Sequence, residues 1–251
     1  MIGQPITGAR YLLRGLHLIT QPGLRRFVIL PVLINVLVFT LLISLVAGQF
    51  GALIDQWLPT LPDWLSWLNY LLWTLFAVTA AVFVFFSFTL LANLIAAPFN
   101  GLLAEAVERY LTGHELPSGS SFLQVLKDAP AAMFDELGKM LYFLIWVIPL
   151  LIISWIPPFS LVAPVLWVLF SAWMLAVEYA DYPMGNHGLK GKEQRAILRS
   201  KRFQSLGFGG LTMAGTVVPV VNLIIMPTAV AGATAMWVES LNTRGSDIIK
   251  Q

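Results

Sequence analysis

Gly23-Leu24-Arg25-Arg26 sets two guanidinium groups directly behind a Pro22-Gly23 turn and ahead of a long uncharged run. If a helix starts there, its first backbone N–H groups have no intrahelical acceptor. Free N–H donors, the positive helix end and planar arginine forks together suit a tetrahedral oxyanion. Gly23 would let such an anion approach the backbone closely, because no Cβ stands in the way. Adjacent helical residues diverge by ~100°, so one arginine can face an anion while the other faces headgroups or protein. The same pair suits a plain topology anchor, since basic residues commonly flank membrane spans. On residue types alone both readings stand.

Other polar candidates are few. Glu105 and Arg109 are four apart and can pair on one helical face, as a charged gate or pathway wall or as a solvated surface pair. Asn35 is the one strongly polar side chain in its apolar run. It can bond a neighbouring helix or line a polar path. Nothing assembles a catalytic centre. His17, His114 and His187 are far apart in sequence and no HExxH pattern occurs. No cysteine is present, which excludes disulfides, thiolate chemistry and Cys-based metal sites. The stretch "GNHGLKGK" has P-loop residue types without P-loop spacing, because Asn186 stands where a glycine is needed ahead of Gly191-Lys192. Neither an enzyme, a metal, a cofactor nor an ATP motor is expected.

The elements that must position these residues are membrane helices. Of 251 residues, 58% are hydrophobic and 11% charged, against about 25% charged in a soluble domain. Nine Trp also suit a bilayer interface. Basic residues gather from Arg10 to Arg26 and from Lys190 to Arg202, which suggests juxtamembrane anchoring before nucleic acid. Residues 27–47 form an uncharged run long enough, at ~1.5 Å per residue, to cross a ~30 Å hydrocarbon core. That run is too long for the apolar core of a cleaved signal. Residues 70–97 form a second, longer run that should tilt. Asp55, Asp63 and several Trp between them read as an interface on the far side of the membrane, for one fixed orientation.

The predicted layout is a single all-α integral membrane domain. Residues 1–22 form an amphipathic surface helix, with Tyr11, Leu12, Leu16 and Ile19 on one face. Residues 23–97 hold two long transmembrane helices, and 98–140 hold amphipathic helices of cytoplasmic type. Residues 141–177 form a first helical hairpin with an uncharged "PPFS" tip, 178–206 a basic loop, and 207–240 a second hairpin joined by "PVVNLIIMPT". The hairpin arms look shorter than the ~20 residues of a full span, so both are read as partly penetrating, re-entrant hairpins. Four ordinary spans are the alternative.

Three stretches carry a resemblance: "YLLRGLHLITQPGLRRFVILPVLIN", "ANLIAAPFNGLLAEAVE" and "EYADYPMGNHG". They are similar to the CysZ family of bacterial sulfate permeases, over nearly the whole chain. The resemblance implies a multi-pass protein of the bacterial inner membrane that admits sulfate for cysteine biosynthesis. It implies sulfate binding at Gly23, Leu24, Arg25 and Arg26, which match the family's glycine-leucine-arginine-arginine turn position by position. It also implies a homo-oligomer, dimer-based and up to a hexamer. Asn35, Glu105 and Arg109 are then candidates for the pathway. A charged solute cannot meet lipid without a severe desolvation cost, and so few spans cannot enclose a polar path in one protomer. The rival expectations are a non-transporting accessory protein for another transporter and an enzyme acting on lipid headgroups.

Overall fold

The computed structural model describes residues 3–57, 66–114 and 122–242. The expected loops around Asp63 and over 116–121 lie outside these residues. In chain order the elements are α1 (Gly3–Leu18), α2 (Arg26–Trp57), α3 (Ser66–Thr112), α4 (Phe122–Trp155), α5 (Ala163–Asn186), α6 (Gly191–Ser200), α7 (Arg202–Val217) and α8 (Pro219–Met236). A 3-10 turn at Phe159–Leu161 joins α4 to α5, and a π-helical turn at Trp237–Leu241 extends α8. The described residues are helical or in turns, as expected of an all-α membrane protein.

Contacts divide the chain into two units, one of residues 26–99 and one of 1–25 with 100–251. The first holds α2 and most of α3. Its stretch Arg26–Ser44 has a mean hydropathy of 2.7, and only 6% of it is buried by protein. Ile29, Leu33, Leu37 and Leu41 are more than half exposed except Ile29, which is at 50%. A surface so apolar calls for lipid or another protein surface against it. Polar groups inside such a helix must be satisfied locally. Accordingly the hydroxyl of Thr40 donates to the Val36 carbonyl and that of Ser44 to the Thr40 carbonyl, each at 2.7 Å.

The second unit packs α1, α5, α7 and α8 together. Within it, α8 is the central column, with Ala229, Val230, Ala231, Ala233, Ala235 and Met236 fully buried. The stretch Ile224–Leu241 is 72% buried, whereas Leu137–Trp155 of α4 is 6% buried. Two helices apolar enough to cross a membrane are therefore placed differently, one enclosed by protein and the other facing outward. Small residues make this possible, because they let backbones approach. At Gly8 an added Cβ would overlap the Gln204 carbonyl of α7, and at Gly15 it would overlap the Thr228 carbonyl of α8.

Those glycines revise the reading of α1. Gly8, Leu12, Gly15, Leu18 and Ile19 are buried, while Leu16 is 41% exposed. The helix is amphipathic as expected, but its inner face rests on α7 and α8. Its exposed face carries Arg10 together with Ile6 and Leu13.

The hairpins also differ in detail. Leu137–Trp155 and Ala163–Asn186 run to 19 and 24 residues, long enough to cross a membrane. The sequence reading began the first arm at Leu141 and ended the second at Val177. The helices continue past both points, so arm length does not separate the first hairpin from full spans. In the second hairpin the chain reverses at Val217-Val218, and "PVVNLIIMPT" is the start of α8. Proline punctuates poorly here: Pro219 sits at the first helical position, where its missing N–H costs nothing. Similarly α3 is helical through Pro98, and α4 takes in the amphipathic segment ahead of the first arm.

Candidate functional site

The arginine turn is built outward from the end of α1. The Gln21 N–H bonds the Leu18 carbonyl at 3.0 Å, and the Gln21 side-chain amide lies 2.9 Å from His17 Nε2. The carbonyl of Gln21 then accepts from the Leu24 N–H at 3.1 Å and the Arg25 N–H at 3.2 Å. Between them Gly23 has φ +91°, the left-handed region in which a side chain is strained. Leu24 is 3% exposed and pins the turn to the protein. Arg25, at the end of this unit, is exposed.

Arg26 is the first residue of α2, whose first turn contains no acidic residue. Its guanidinium carbon lies 4.9 Å from the Phe27 ring centroid. That is a cation–π distance. The four residues thus divide their tasks: Gly23 supplies backbone shape, Leu24 an anchor, Arg25 an exposed cation, and Arg26 a cation leaning on an aromatic ring at a helix start. Guanidinium groups are the side-chain type that suits an oxyanion, while the Leu24 and Arg25 N–H groups are taken up by the Gln21 carbonyl.

The other predicted residues are placed as follows. Asn35 lies in α2, half-buried, and its side-chain carbonyl oxygen is buried without a hydrogen-bond partner among the described residues. Glu105 is half-buried and Arg109 exposed on the second half of α3. Asn35 and the Glu105/Arg109 pair belong to different units.

The carboxylate that the fold engages is Glu108. The buried stripe of this part of α3 runs through Asn100, Leu103, Ala104, Val107 and Glu108. Glu108 is 6% exposed, and its two oxygens lie 2.9 and 3.0 Å from Nε2 of His187. The His187 ring is 5.4 Å from that of Trp237 in the π-helical turn. Burying a carboxylate is costly unless it is paired, and His187 supplies the pairing.

Further contacts bind the same two segments together. The side-chain amide of Asn186 donates to the Gly101 carbonyl at 3.1 Å. That of Asn100 faces the Tyr182 hydroxyl at 3.4 Å and the Met226 sulfur at 3.2 Å. Asp181 receives Lys139 of α4 and Gln194 of α6, both at 2.5 Å. So "APFNGLLAEAVE" and "DYPMGNH", which are distant in sequence, form one polar seam. Spacing to Arg109 singles out Glu105 in the sequence, and the sequence does not show that Glu108 and His187 pair. The signal for Glu108 was its register, since it falls in line with Leu103, Ala104 and Val107.

The π-helical turn is tied down at its other side. Glu239 pairs with Arg14 of α1 at 2.6 Å. Ser240 receives the Lys201 ammonium on its carbonyl at 2.6 Å and on its hydroxyl at 2.7 Å. Burial, and then the nearby Glu239 carboxylate, push the Tyr11 hydroxyl of α1 above its ordinary value. Among the described residues no group of three His, Cys, Asp or Glu side chains could hold a metal ion.

A family model described as "Sulfate transporter CysZ/Etoposide-induced protein 2.4" matches residues 11–227. A protein of Pseudomonas aeruginosa named "Sulfate transporter CysZ" is 47% identical over 239 residues, covering 95% of this chain and 97% of the relative. One of the same name from Pseudomonas syringae pv. tomato is 46% identical over 244 residues, covering 97% and 95%. Another from Pseudomonas fluorescens is 49% identical over 233 residues, covering 93% and 91%. Both the arginine turn and the polar seam up to Met226 fall inside the matched region, and the chain belongs to the sulfate transporter CysZ/etoposide-induced protein 2.4 family.

Proposed function

We propose that this protein is a sulfate permease of the bacterial inner membrane, supplying sulfate for cysteine biosynthesis without an ATP site of its own. The observation that carries this reading is near-full-length similarity, at 46–49% identity, to proteins named as sulfate transporters. The chemistry of the arginine turn agrees with it. Sulfate is a tetrahedral dianion, and the turn Gly23, Leu24, Arg25 and Arg26 would capture it chiefly with the guanidinium forks, since the Leu24 and Arg25 N–H groups already bond the Gln21 carbonyl. Charge neutralisation there lowers the cost of removing the ion from water. Binding must stay moderate, because a permeating ion has to leave again.

Beyond the capture turn, Asn35, Glu105 and Arg109 are the proposed polar lining. The second hairpin, whose α7 arm is 16 residues long, would penetrate the bilayer part way. Several protomers, paired as dimers and assembling up to a hexamer, would enclose a path that one protomer cannot. The test is sulfate uptake into liposomes that contain only this protein, with and without a proton gradient. Uptake that disappears in Arg25→Ala/Arg26→Ala is expected. Absence of flux from correctly assembled wild-type protein would instead favour an accessory role beside another transporter.

A further inference from the structure

We propose that α6 and the start of α7 form a docking face for anionic phospholipid headgroups, separate from the arginine turn. α6 is amphipathic: Gln194, Ile197 and Leu198 are buried, while Lys192, Ala196 and Arg199 are exposed. Lys192 and Arg199 are seven apart and share one side of the helix. Arg202, the first residue of α7, adds a third exposed cation. Glu193, in the first turn of α6, is exposed, and its carboxylate accepts from the Lys190 N–H at 2.9 Å to cap the helix. With that carboxylate engaged at the helix start, Lys192, Arg199 and Arg202 make the outer face basic on balance.

Its depth is set by contacts with two membrane helices. The Arg195 guanidinium stacks over the Tyr142 ring at 4.3 Å. Tyr142 lies near the start of the apolar stretch Leu137–Trp155 of α4, and its hydroxyl accepts from the indole N–H of Trp173 in α5 at 3.0 Å. Asp181, near the end of α5, holds Lys139 of α4 and Gln194 of α6 together. α6 is therefore bolted where α4 and α5 leave the apolar layer, at the level of headgroups. Phe203 continues the outer face, 38% exposed, with the Arg202 guanidinium 5.0 Å from its ring. A partner for this surface must present a phosphate beside hydrocarbon, and a phospholipid does so. A face that is basic on balance favours a headgroup of net negative charge over a zwitterionic one.

The test uses the full-length protein in mixed micelles holding equal phosphatidylglycerol and phosphatidylcholine. Lipid retained through size-exclusion chromatography is quantified by mass spectrometry. Wild-type protein should retain phosphatidylglycerol over phosphatidylcholine by at least about fivefold, roughly the effect of one basic residue at an anionic surface. Lys192→Gln/Arg199→Gln/Arg202→Gln should lose the enrichment while eluting as wild type, and Lys192→Arg/Arg199→Lys/Arg202→Lys should keep it. Should the triple glutamine variant elute abnormally, the three single glutamine variants must show graded losses. Equal retention of both lipids by wild type, or undiminished enrichment in the glutamine variants, overturns the proposal. Displacement of phosphatidylglycerol by free sulfate overturns it too, because the face would then collect the solute.

Discussion

Glu108 and His187 stand 79 positions apart in the chain, yet both carboxylate oxygens of Glu108 lie within 3.0 Å of the His187 ring nitrogen. The pair joins the second half of α3 to the end of α5, and Trp237 packs against the imidazole from the π-helical turn. Three elements of one unit thus meet at one buried carboxylate.

Removing that carboxylate should loosen the unit. Glu108→Ala leaves His187 without its partner and opens space in the seam, at a cost of about 1–3 kcal/mol. Glu108→Gln keeps a hydrogen bond and should cost less. Thermal unfolding of the purified protein in detergent checks the order wild type, glutamine, alanine. Equal melting temperatures for all three would mean that the contact contributes nothing.

The α1 docking surface makes a paired prediction about glycines. Gly15→Ala drives a Cβ into the Thr228 carbonyl, and overpacking of this kind costs about 1–3 kcal/mol. Gly101→Ala has open space around the new Cβ and sits inside a helix, so it should be neutral or stabilise by up to ~1 kcal/mol. Limited proteolysis of α1 provides a second readout, with faster cleavage expected only for the Gly15 variant.

For the arginine turn, each charge-assisted contact removed should weaken sulfate binding by about 10- to 100-fold. Arg25→Ala should cost more than Arg26→Ala, because the Arg26 guanidinium already leans on Phe27. Gly23→Ala strains a backbone held at φ +91° although nothing crowds its Cβ, so affinity should fall while the melting temperature changes by a degree or two, of order 1 kcal/mol. Titration calorimetry on purified variants measures both comparisons. Affinity that survives the double arginine substitution would remove the turn from consideration.

Asn35 tests pathway against packing. Its buried oxygen has no partner among the described residues, and an orphaned polar atom costs about 1–3 kcal/mol. Asn35→Leu should therefore raise the melting temperature. If liposome sulfate uptake falls in that more stable variant, the amide serves the ion; unchanged uptake assigns it to the helix alone.

Alkaline pH supplies a further check through Tyr11. Its hydroxyl is raised in the folded state above the ordinary value of 10.0, chiefly by burial and then by Glu239. A raised value means the folded state keeps a proton that the unfolded chain releases. Its contribution is complete below the unfolded value and is lost as pH climbs through the folded one. Stability should decline above about pH 10 in wild type, and less steeply in Tyr11→Phe.

Much of this architecture was legible from residue order. Charge-free runs of spanning length mark helices in lipid, and the start of α2 followed from Pro22-Gly23 ahead of the arginines. The requirement for glycine at position 23 was legible as a close approach to backbone; its left-handed φ adds a second reason. Proline was a weaker guide. Pro98 opens the segment expected to hold separate amphipathic helices and Pro219 the joint of the second hairpin, yet both lie in helices, the latter where a proline fits the first turn.

By itself the sequence determined that the chain is an α-helical membrane protein and that cations gather at a helix start. Both follow from local properties, namely apolar length and the unsatisfied N–H groups of any helix end. Tertiary structure alone decided that α8 is enclosed by protein while the apolar stretch of α4 faces outward, because lipid and a protein core accept the same side chains. It also decided that Glu108 rather than Glu105 is the buried acid. Both glutamates lie on one amphipathic helix, and only the neighbour that arrives from α5, His187, determines which carboxylate can leave water.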